Sequence, residues 1–176
     1  MDLGTLEEAQ LIYRRRKSGA GPLPAGWRKL GEGISRQAYL SPTGTVYKIM
    51  GRQDNSNENE YLSCQKIKEG VKNNMTPLPK PWRVAECKLY KWDGLVKKPR
   101  DYFTYDWTEG EVCVIAMEYI DGQHAPDNDY WSDQGDVVFS HLGSGDGHVA
   151  NWVMSNKGEY VIIDLGEGLD DFDHLE

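Results

Sequence analysis

The part of the sequence that most constrains the fold is G-D-G-H-V-A-N-W-V-M-S-N-K-G-E-Y-V-I-I-D-L-G, at positions 145–166. Two short apolar runs, at 151–154 and 160–164, flank the turn residues S-N-K-G. Apolar runs on either side of such a turn predict a β-hairpin. A hairpin of this length brings its two ends side by side, so Asn151 and Asp164 are expected to lie close together.

The side chains at the ends of this hairpin predict a divalent-cation site. Asn151 offers an amide oxygen and Asp164 a carboxylate, which are ligands that suit Mg²⁺ better than Ca²⁺ or Zn²⁺ when phosphates complete the shell. Asp146 lies five residues before Asn151, at the other end of the loop, where it can face a substrate hydroxyl. Asp, Asn and Gly are also common in surface turns, so the joint spacing is what favours a functional site.

An antiparallel sheet with one inserted helix is expected in the larger part of the chain. The helix is predicted at 57–70, where Gly70 ends it, and another helix is predicted at 5–17 with Thr5 as its cap. Together with a small mixed remainder, this order of elements predicts an α+β fold. The predicted strands of the sheet lie at 27–31, 37–40, 45–50, 82–90 and 111–120.

Three parts of the chain are expected from the order of these elements. Residues 1–26 are expected to form an N-terminal helix and a linker rich in glycine and proline. Residues 27–120 are expected to form the sheet-rich part, and residues 121–176 a smaller part that carries the hairpin.

Charge, hydropathy and cysteine spacing exclude several classes of protein. The formal net charge is -8, whereas broad binding to DNA or RNA needs a basic face. The sequence has no apolar run of roughly eighteen residues, and its acidic N-terminus is not typical of a signal peptide. We therefore expect a cytoplasmic protein without a membrane span. Cys64, Cys87 and Cys113 form no C-x-x-C pair, so neither a disulfide framework nor a zinc site is expected. Cys87 and Cys113 lie in apolar strand-like runs, which predicts buried free thiols at these two positions.

Two features of the sheet-rich part suit a bound phosphate. Gly31 and Gly33 lie in a strand–turn–strand pattern where backbone N–H groups can approach phosphate oxygens, although two glycines in a hairpin are more often only a turn. Lys48 lies in the apolar strand V-Y-K-I and needs a partner for its ammonium group. Helical spacing favours Glu60 as this partner, and Glu58 is the alternative.

The spacing of three of these residues resembles the protein-kinase-like superfamily. The catalytic loop of that superfamily runs Asp, four residues and Asn, and a D-F-G element follows. Asp146-x-x-x-x-Asn151 and Asp164-Leu165-Gly166 match this pattern. The resemblance implies that Asp146 is the catalytic base and that Asn151 and Asp164 bind Mg²⁺. The G-D-G-H run, with His148, is similar to the branch that phosphorylates antibiotics and other small molecules.

The same resemblance covers roughly residues 27–168 and implies a bilobal fold that binds ATP and Mg²⁺. The sheet-rich part would be the N-lobe, and the hairpin would belong to a much reduced C-lobe. Lys48 would contact the α- and β-phosphates, and Glu60 would hold it in place. The segment A-M-E-Y-I-D-G at 116–122 resembles the hinge that binds adenine. The resemblance implies further nucleotide contacts at Gly31, Gly33, Met117, Glu118 and Ile120.

Three functions remain open at this point. The leading hypothesis is a minimal protein Ser/Thr kinase with a protein substrate, because all four polar residues of the phosphate site are present. An aminoglycoside-type phosphotransferase is the second, and a cationic acceptor could be held by Asp127, Asp129, Asp133 and Asp136. The third is a catalytically weak pseudokinase that binds nucleotide and a partner protein. Its aromatic anchors would be Trp92, Tyr102, Phe103, Tyr105 and Trp107.

Overall fold

The computed structural model describes residues 2–18, 22–32, 36–51, 55–72, 78–141 and 147–164 of the chain. The chain divides into two compact units, one formed by Met1–Glu58 and Cys87–Tyr119 and the other by Asn59–Glu86 and Ile120–Glu176. The predicted α+β class is confirmed. The boundaries of the three expected parts stay a prediction.

The secondary structure within the described residues follows the predicted order, but the prediction that Gly70 ends the second helix is wrong, because this helix continues to Lys72. In chain order the elements are α1 (Leu6–Ser18), β1 (Arg28–Glu32), β2 (Arg36–Leu40), β3 (Thr45–Met50), α2 (Ser56–Lys72), β4 (Trp82–Val84), β5 (Cys87–Pro99), β6 (Tyr105–Glu118), β7 (Gly122–Gln123), α3 (Asp129–His141), a 3₁₀ turn (Val149–Asn151), β8 (Trp152–Ser155) and β9 (Tyr160–Ile162).

In its described part, the first unit is built on a five-stranded antiparallel sheet in the order β1-β2-β3-β6-β5. Strands β5 and β6 pair along thirteen positions, from Cys87 opposite Met117 to Pro99 opposite Tyr105. The aromatic stretch between the two predicted strands is therefore a continuation of the hairpin, which ends in a short turn. The C-terminal end of β6, from Ile115 to Glu118, also pairs with β3.

Helix α1 packs on this sheet through a set of hydrogen bonds at its N-terminus. The Thr5 hydroxyl accepts the Glu8 amide at 3.1 Å, which confirms Thr5 as the cap. The buried Tyr47 hydroxyl accepts the Thr5 amide at 3.1 Å and donates to the Glu8 carboxylate at 3.0 Å. Ala9 and Ile12 are completely buried against Tyr47 in the core of this unit.

In its described residues, the second unit contains a four-stranded sheet in the order β4-β9-β8-β7, in which β4 runs parallel to β9. Trp152 is completely buried. Its ring lies 4.7 Å from Trp82, 5.7 Å from Tyr160 and 6.0 Å from Trp131, measured between centroids. This aromatic cluster packs one side of the hairpin that the sequence predicts.

The prediction of a single strand at 82–90 is wrong. Trp82–Val84 pairs with β9 in the second sheet, and Cys87 begins β5 in the first. Between them the Ala85 amide donates to the Ile162 carbonyl at 2.9 Å. The run W-R-V-A-E-C-K-L-Y contains neither Gly nor Pro, so nothing in the local pattern marks the point where the chain changes sheets.

Two expectations from the composition can be compared with the structure. Cys87 and Cys113 are buried thiols outside any disulfide, as predicted, and Cys64 is buried as well. Across the described residues, no helix is long and apolar enough to cross a membrane.

Candidate functional site

The hairpin β8–β9 brings the chain segments around Asn151 and Asp164 together. Trp152 is opposite Ile162 in the antiparallel ladder. One step beyond the ladder, the Ile163 amide donates to the Asn151 carbonyl at 3.0 Å. The backbone of Asn151 therefore lies beside the residue that precedes Asp164. Both Asn151 and Asp164 are half-buried, and their role as ligands of Mg²⁺ stays a prediction.

Gly147, in the loop before this hairpin, packs tightly against Gly135 of α3. A Cβ atom on Gly147 would overlap the backbone of Gly135, and a Cβ atom on Gly135 would overlap the Gly147 carbonyl. The Trp152 indole N–H also donates to that carbonyl at 3.2 Å. The residue after the predicted catalytic base is thus fixed on both sides, while Asp146 itself lies outside the described residues.

His148 organises the turn that ends at Asn151. Its Nδ1 accepts the Ala150 amide at 3.1 Å, and its carbonyl oxygen accepts the Asn151 amide at 2.9 Å. These two bonds close the 3₁₀ turn. Its other ring nitrogen, Nε2, lies 3.5 Å from the exposed Asp127 carboxylate.

His124 also hydrogen-bonds to this turn, a role that the sequence did not predict. Its Nδ1 lies 2.9 Å from the Val149 carbonyl oxygen and 2.7 Å from that of Trp152. Because both partners are acceptors, Nδ1 carries the proton and donates. A single histidine in a polar loop has no local pattern that reveals such a role.

Lys48 lies on β3, between Ala38 of β2 and Ile115 of β6, and only 8% of its surface is exposed. The ladder between β3 and β6 ends at this residue. Beyond this point the Asn57 side chain bridges the two strands, because its amide donates to the carbonyls of Lys48 and Cys113, each at 2.9 Å.

Asn57 is fully buried, and its amide oxygen accepts from the Arg36 guanidinium at 3.2 Å. The side chain thus has a partner for both of its polar atoms and fixes the backbone that carries Lys48. Sequence reasoning does not reveal this bridging role, because Cys113 is 56 residues away in the chain.

The two acidic candidates for pairing with Lys48 differ in their surroundings. Glu60 is completely buried, whereas Glu58 is half-buried and accepts the Cys113 thiol at 3.1 Å. Burial, together with smaller contributions from the nearby Glu58 and Glu111 carboxylates, raises the pKa of that thiol to about 12. The pairing of Lys48 with Glu60 stays a prediction.

The residues expected around the adenine and phosphates are spread over several elements. Met117 and Glu118 are buried at the end of β6, and Ile120 follows that strand. Gly31 lies on the exposed strand β1, where an added Cβ would meet no described atom within 4 Å. Gly33 lies outside the described residues.

The acidic residues considered for a cationic acceptor are all exposed. Asp127 precedes α3, and Asp129 lies in its first turn, where a carboxylate favours the positive end of the helix. Asp133 and Asp136 follow on the same helix. This arrangement is typical of a solvated helix surface.

The described fold is α+β, with oxygen donors placed at one end of a hairpin. No family model matches the chain, and no curated protein matches it. One similar solved structure is the GDP and kanamycin complex of APH(2")-IIia, with a TM-score of 0.36 and 11% identity. Another is the GDP complex of a mutant of aminoglycoside 2'-phosphotransferase IIIa, with a TM-score of 0.37 and 13% identity.

Each match covers 80% of this chain, which spans about two fifths of each neighbour, 42% and 41% of their lengths. The first neighbour is a complex with GDP and kanamycin, and the second is a complex with GDP. Similarity at this level assigns neither a substrate nor an activity to this chain.

Proposed function

We propose that this chain is a kinase-like phosphotransferase that uses ATP and Mg²⁺. The observation that carries the proposal is the hydrogen bond from Ile163 to Asn151, which closes the hairpin just before Asp164. It places an amide and a carboxylate on adjoining chain segments. Oxygen donors of this kind fit Mg²⁺, which prefers carboxylate and neutral oxygen ligands.

In this proposal each polar residue has one task. Asn151 and Asp164 hold the metal ion, which when bound would neutralise charge on the phosphates. Asp146 accepts the proton of the attacking hydroxyl, and Lys48 contacts the α- and β-phosphates. The support for Asp146 is indirect, since the residue that follows it is fixed by α3 and by the Trp152 indole.

The support for Lys48 is its setting on the sheet. A buried ammonium group needs a fixed, charged environment. Asn57 fixes the backbone at this position, and the Glu58 carboxylate is bonded to Cys113. These contacts favour Glu60 as the residue that holds Lys48.

As acceptor we propose a Ser or Thr hydroxyl of a cytoplasmic protein. The alternatives are a small cationic alcohol of the aminoglycoside type and a pseudokinase that binds nucleotide and a partner without transfer. The exposed positions of the acidic residues on α3 do not favour a cationic pocket over a solvated helix surface.

The test is transfer of the labelled γ-phosphate of ATP by the full chain. Casein serves as a protein acceptor and kanamycin as a small-molecule acceptor, both with Mg²⁺. We expect labelled casein, with transfer reduced about a hundredfold or more by Asp146→Asn and by Asp164→Asn. The control is Asp133→Asn, which changes an exposed carboxylate on α3.

The outcomes separate the three functions. Labelled kanamycin with unlabelled casein identifies a small-molecule phosphotransferase. Nucleotide binding without transfer to either acceptor identifies a pseudokinase. Transfer that is equal in the wild-type chain and in both variants contradicts the proposed site.

A further inference from the structure

The first unit contains a cavity beside α1, at the end of β3. Its volume is about 200 Å³. It lies where the second half of α1, the end of β3 and the outer part of the β5–β6 hairpin meet. The side chains that line it are Tyr13, Arg16, Ile49, Met50, Lys97 and Trp107.

The charge of this cavity is opposite to that of the chain. The formal net charge of the chain is -8, but the described residues that line the cavity include two cations and no carboxylate. Two positive charges in a partly desolvated space repel each other unless an anion joins them. Guanidinium and ammonium groups are the usual partners of phosphate and carboxylate ligands.

The Glu32 carboxylate offsets this charge only in part. Glu32 interacts electrostatically with Arg16, which is the smallest of the effects on its carboxyl pKa. The Glu32 carboxylate instead accepts from Lys29 at 3.0 Å and from Gln37 at 2.7 Å. Lys97 lies over the Tyr105 ring at 5.2 Å, a contact that leaves its charge in place.

Two of the side chains that line the cavity, Tyr13 and Trp107, are aromatic. The Tyr13 hydroxyl donates to the Leu95 carbonyl at 2.6 Å, and its ring meets Trp92 edge to face at 5.6 Å. Tyr13 is therefore held in position. Trp107 is 42% exposed, so a planar ligand placed against it would remove apolar surface from water.

The cavity does not include Lys48 or any other residue of the proposed nucleotide site. Ile49 points towards α1 and lines the cavity. Met50 points to the opposite face of β3 and also lines it, so the cavity lies across the end of this strand.

We propose that this cavity binds a small aromatic anion, an aryl phosphate or an aryl carboxylate. The anionic group lies between Arg16 and Lys97, and the ring packs between Tyr13 and Trp107. The site is independent of the proposed phosphotransferase function, because none of its lining residues takes part in that function.

The test is calorimetric titration of the full chain with phenyl phosphate and with benzoate. We expect saturable one-site binding of at least one of them, weakened by added salt. Inorganic phosphate, which has no ring, and benzyl alcohol, which has no charge, are expected to bind about tenfold or more weakly. A short phosphotyrosine peptide in the same titration separates a peptide side chain from a free ligand.

Substitution of either cation tests whether the anion binds in this cavity. Arg16→Gln and Lys97→Gln are each expected to weaken binding about tenfold. The control is Arg14→Gln, which removes an exposed charge from the same helix outside the cavity and is expected to leave the affinity unchanged. Melting curves verify that all variants are folded.

Three results would overturn the proposal. One is the absence of saturable binding of both aryl anions. Another is equal loss of affinity in Arg14→Gln and Arg16→Gln. The last is competition by ATP with Mg²⁺, because no residue that lines the cavity belongs to the proposed nucleotide site.

Discussion

Glycine residues have two different uses in this chain. Gly135 and Gly147 lie so close together that neither has room for a Cβ atom. Gly31 has open space around it, so packing among the described residues does not require a glycine there. A glycine that packing does not require is consistent with a close approach of the backbone to a ligand.

We therefore expect Gly135→Ala to lower the free energy of unfolding by about 2 kcal/mol or more, because the methyl group overlaps the loop backbone. Urea denaturation measures this change. The matched control is Gly31→Ala, for which we expect a change within about 0.5 kcal/mol. Similar stability losses in the two variants would contradict this division.

The Asn57 amide bridges two strands where their own pairing stops. Asn57→Asp keeps the size of the side chain but removes the donor group and places a carboxylate beside the Lys48 and Cys113 carbonyls. We expect a loss of about 2–4 kcal/mol in the free energy of unfolding, measured with urea. Asn156→Asp, on an exposed turn, is the control. A small effect of Asn57→Asp would mean that the bridge is not needed.

The Cys113 thiol should make stability depend on alkaline pH. Burial and the Glu58 carboxylate raise its pKa to about 12 from an ordinary value near 9. Folding therefore favours the neutral thiol, and this contribution is present below pH 9 and lost as the pH rises towards 12.

Between pH 8 and pH 10, the wild-type chain is expected to lose about 1 kcal/mol more stability than Cys113→Ala. The comparison with this variant is needed because burial also raises the pKa of Tyr13, to about 12. Urea denaturation at both pH values measures the difference. Equal losses in the two proteins would show that the thiol titrates normally.

At the scale of elements, the hairpin β8–β9 and the loop before it act as one unit. Trp152 joins them, because its ring fills the core and its indole N–H bonds the Gly147 carbonyl. Trp152→Phe keeps most of the packing and removes that bond. We expect faster hydrogen exchange at the Ala150 and Asn151 amides, measured by NMR. Trp82→Phe, which perturbs the same cluster but keeps the bond, should leave these amides protected.

The sequence is sufficient to predict elements whose contacts are local. The hairpin follows from two apolar runs around S-N-K-G, where Gly158 has the positive φ of 82° that the turn requires. The cap at Thr5 is equally local. By contrast, the change of sheet at Ala85 depends on a bond to Ile162, which is far along the chain.

The residues of the candidate site also differ in whether a local sequence pattern predicts them. Asn151 and Asp164 are recognisable because the spacing of a hairpin determines which residues meet. The roles of His124 and Asn57 depend on contacts with distant residues, and neither residue belongs to a local motif. Sequence spacing therefore predicts the residues of the proposed chemistry better than the residues that position them.

At the scale of the whole molecule, each unit has its own sheet and its own buried residues. Lys48 belongs to the first unit and the hairpin with Asn151 and Asp164 to the second.

The most direct measurement is a thermal-shift titration of the full chain with ATP, with and without Mg²⁺. Binding to the native state raises its stability by about 2.7 kcal/mol at a hundredfold excess over Kd. We expect ATP and Mg²⁺ to raise the Tm, EDTA to remove most of the shift, and Asp164→Asn to abolish the part that depends on the metal. A Tm that does not respond to ATP with Mg²⁺, or an equal shift in Asp164→Asn, would contradict the proposed site at the end of the hairpin.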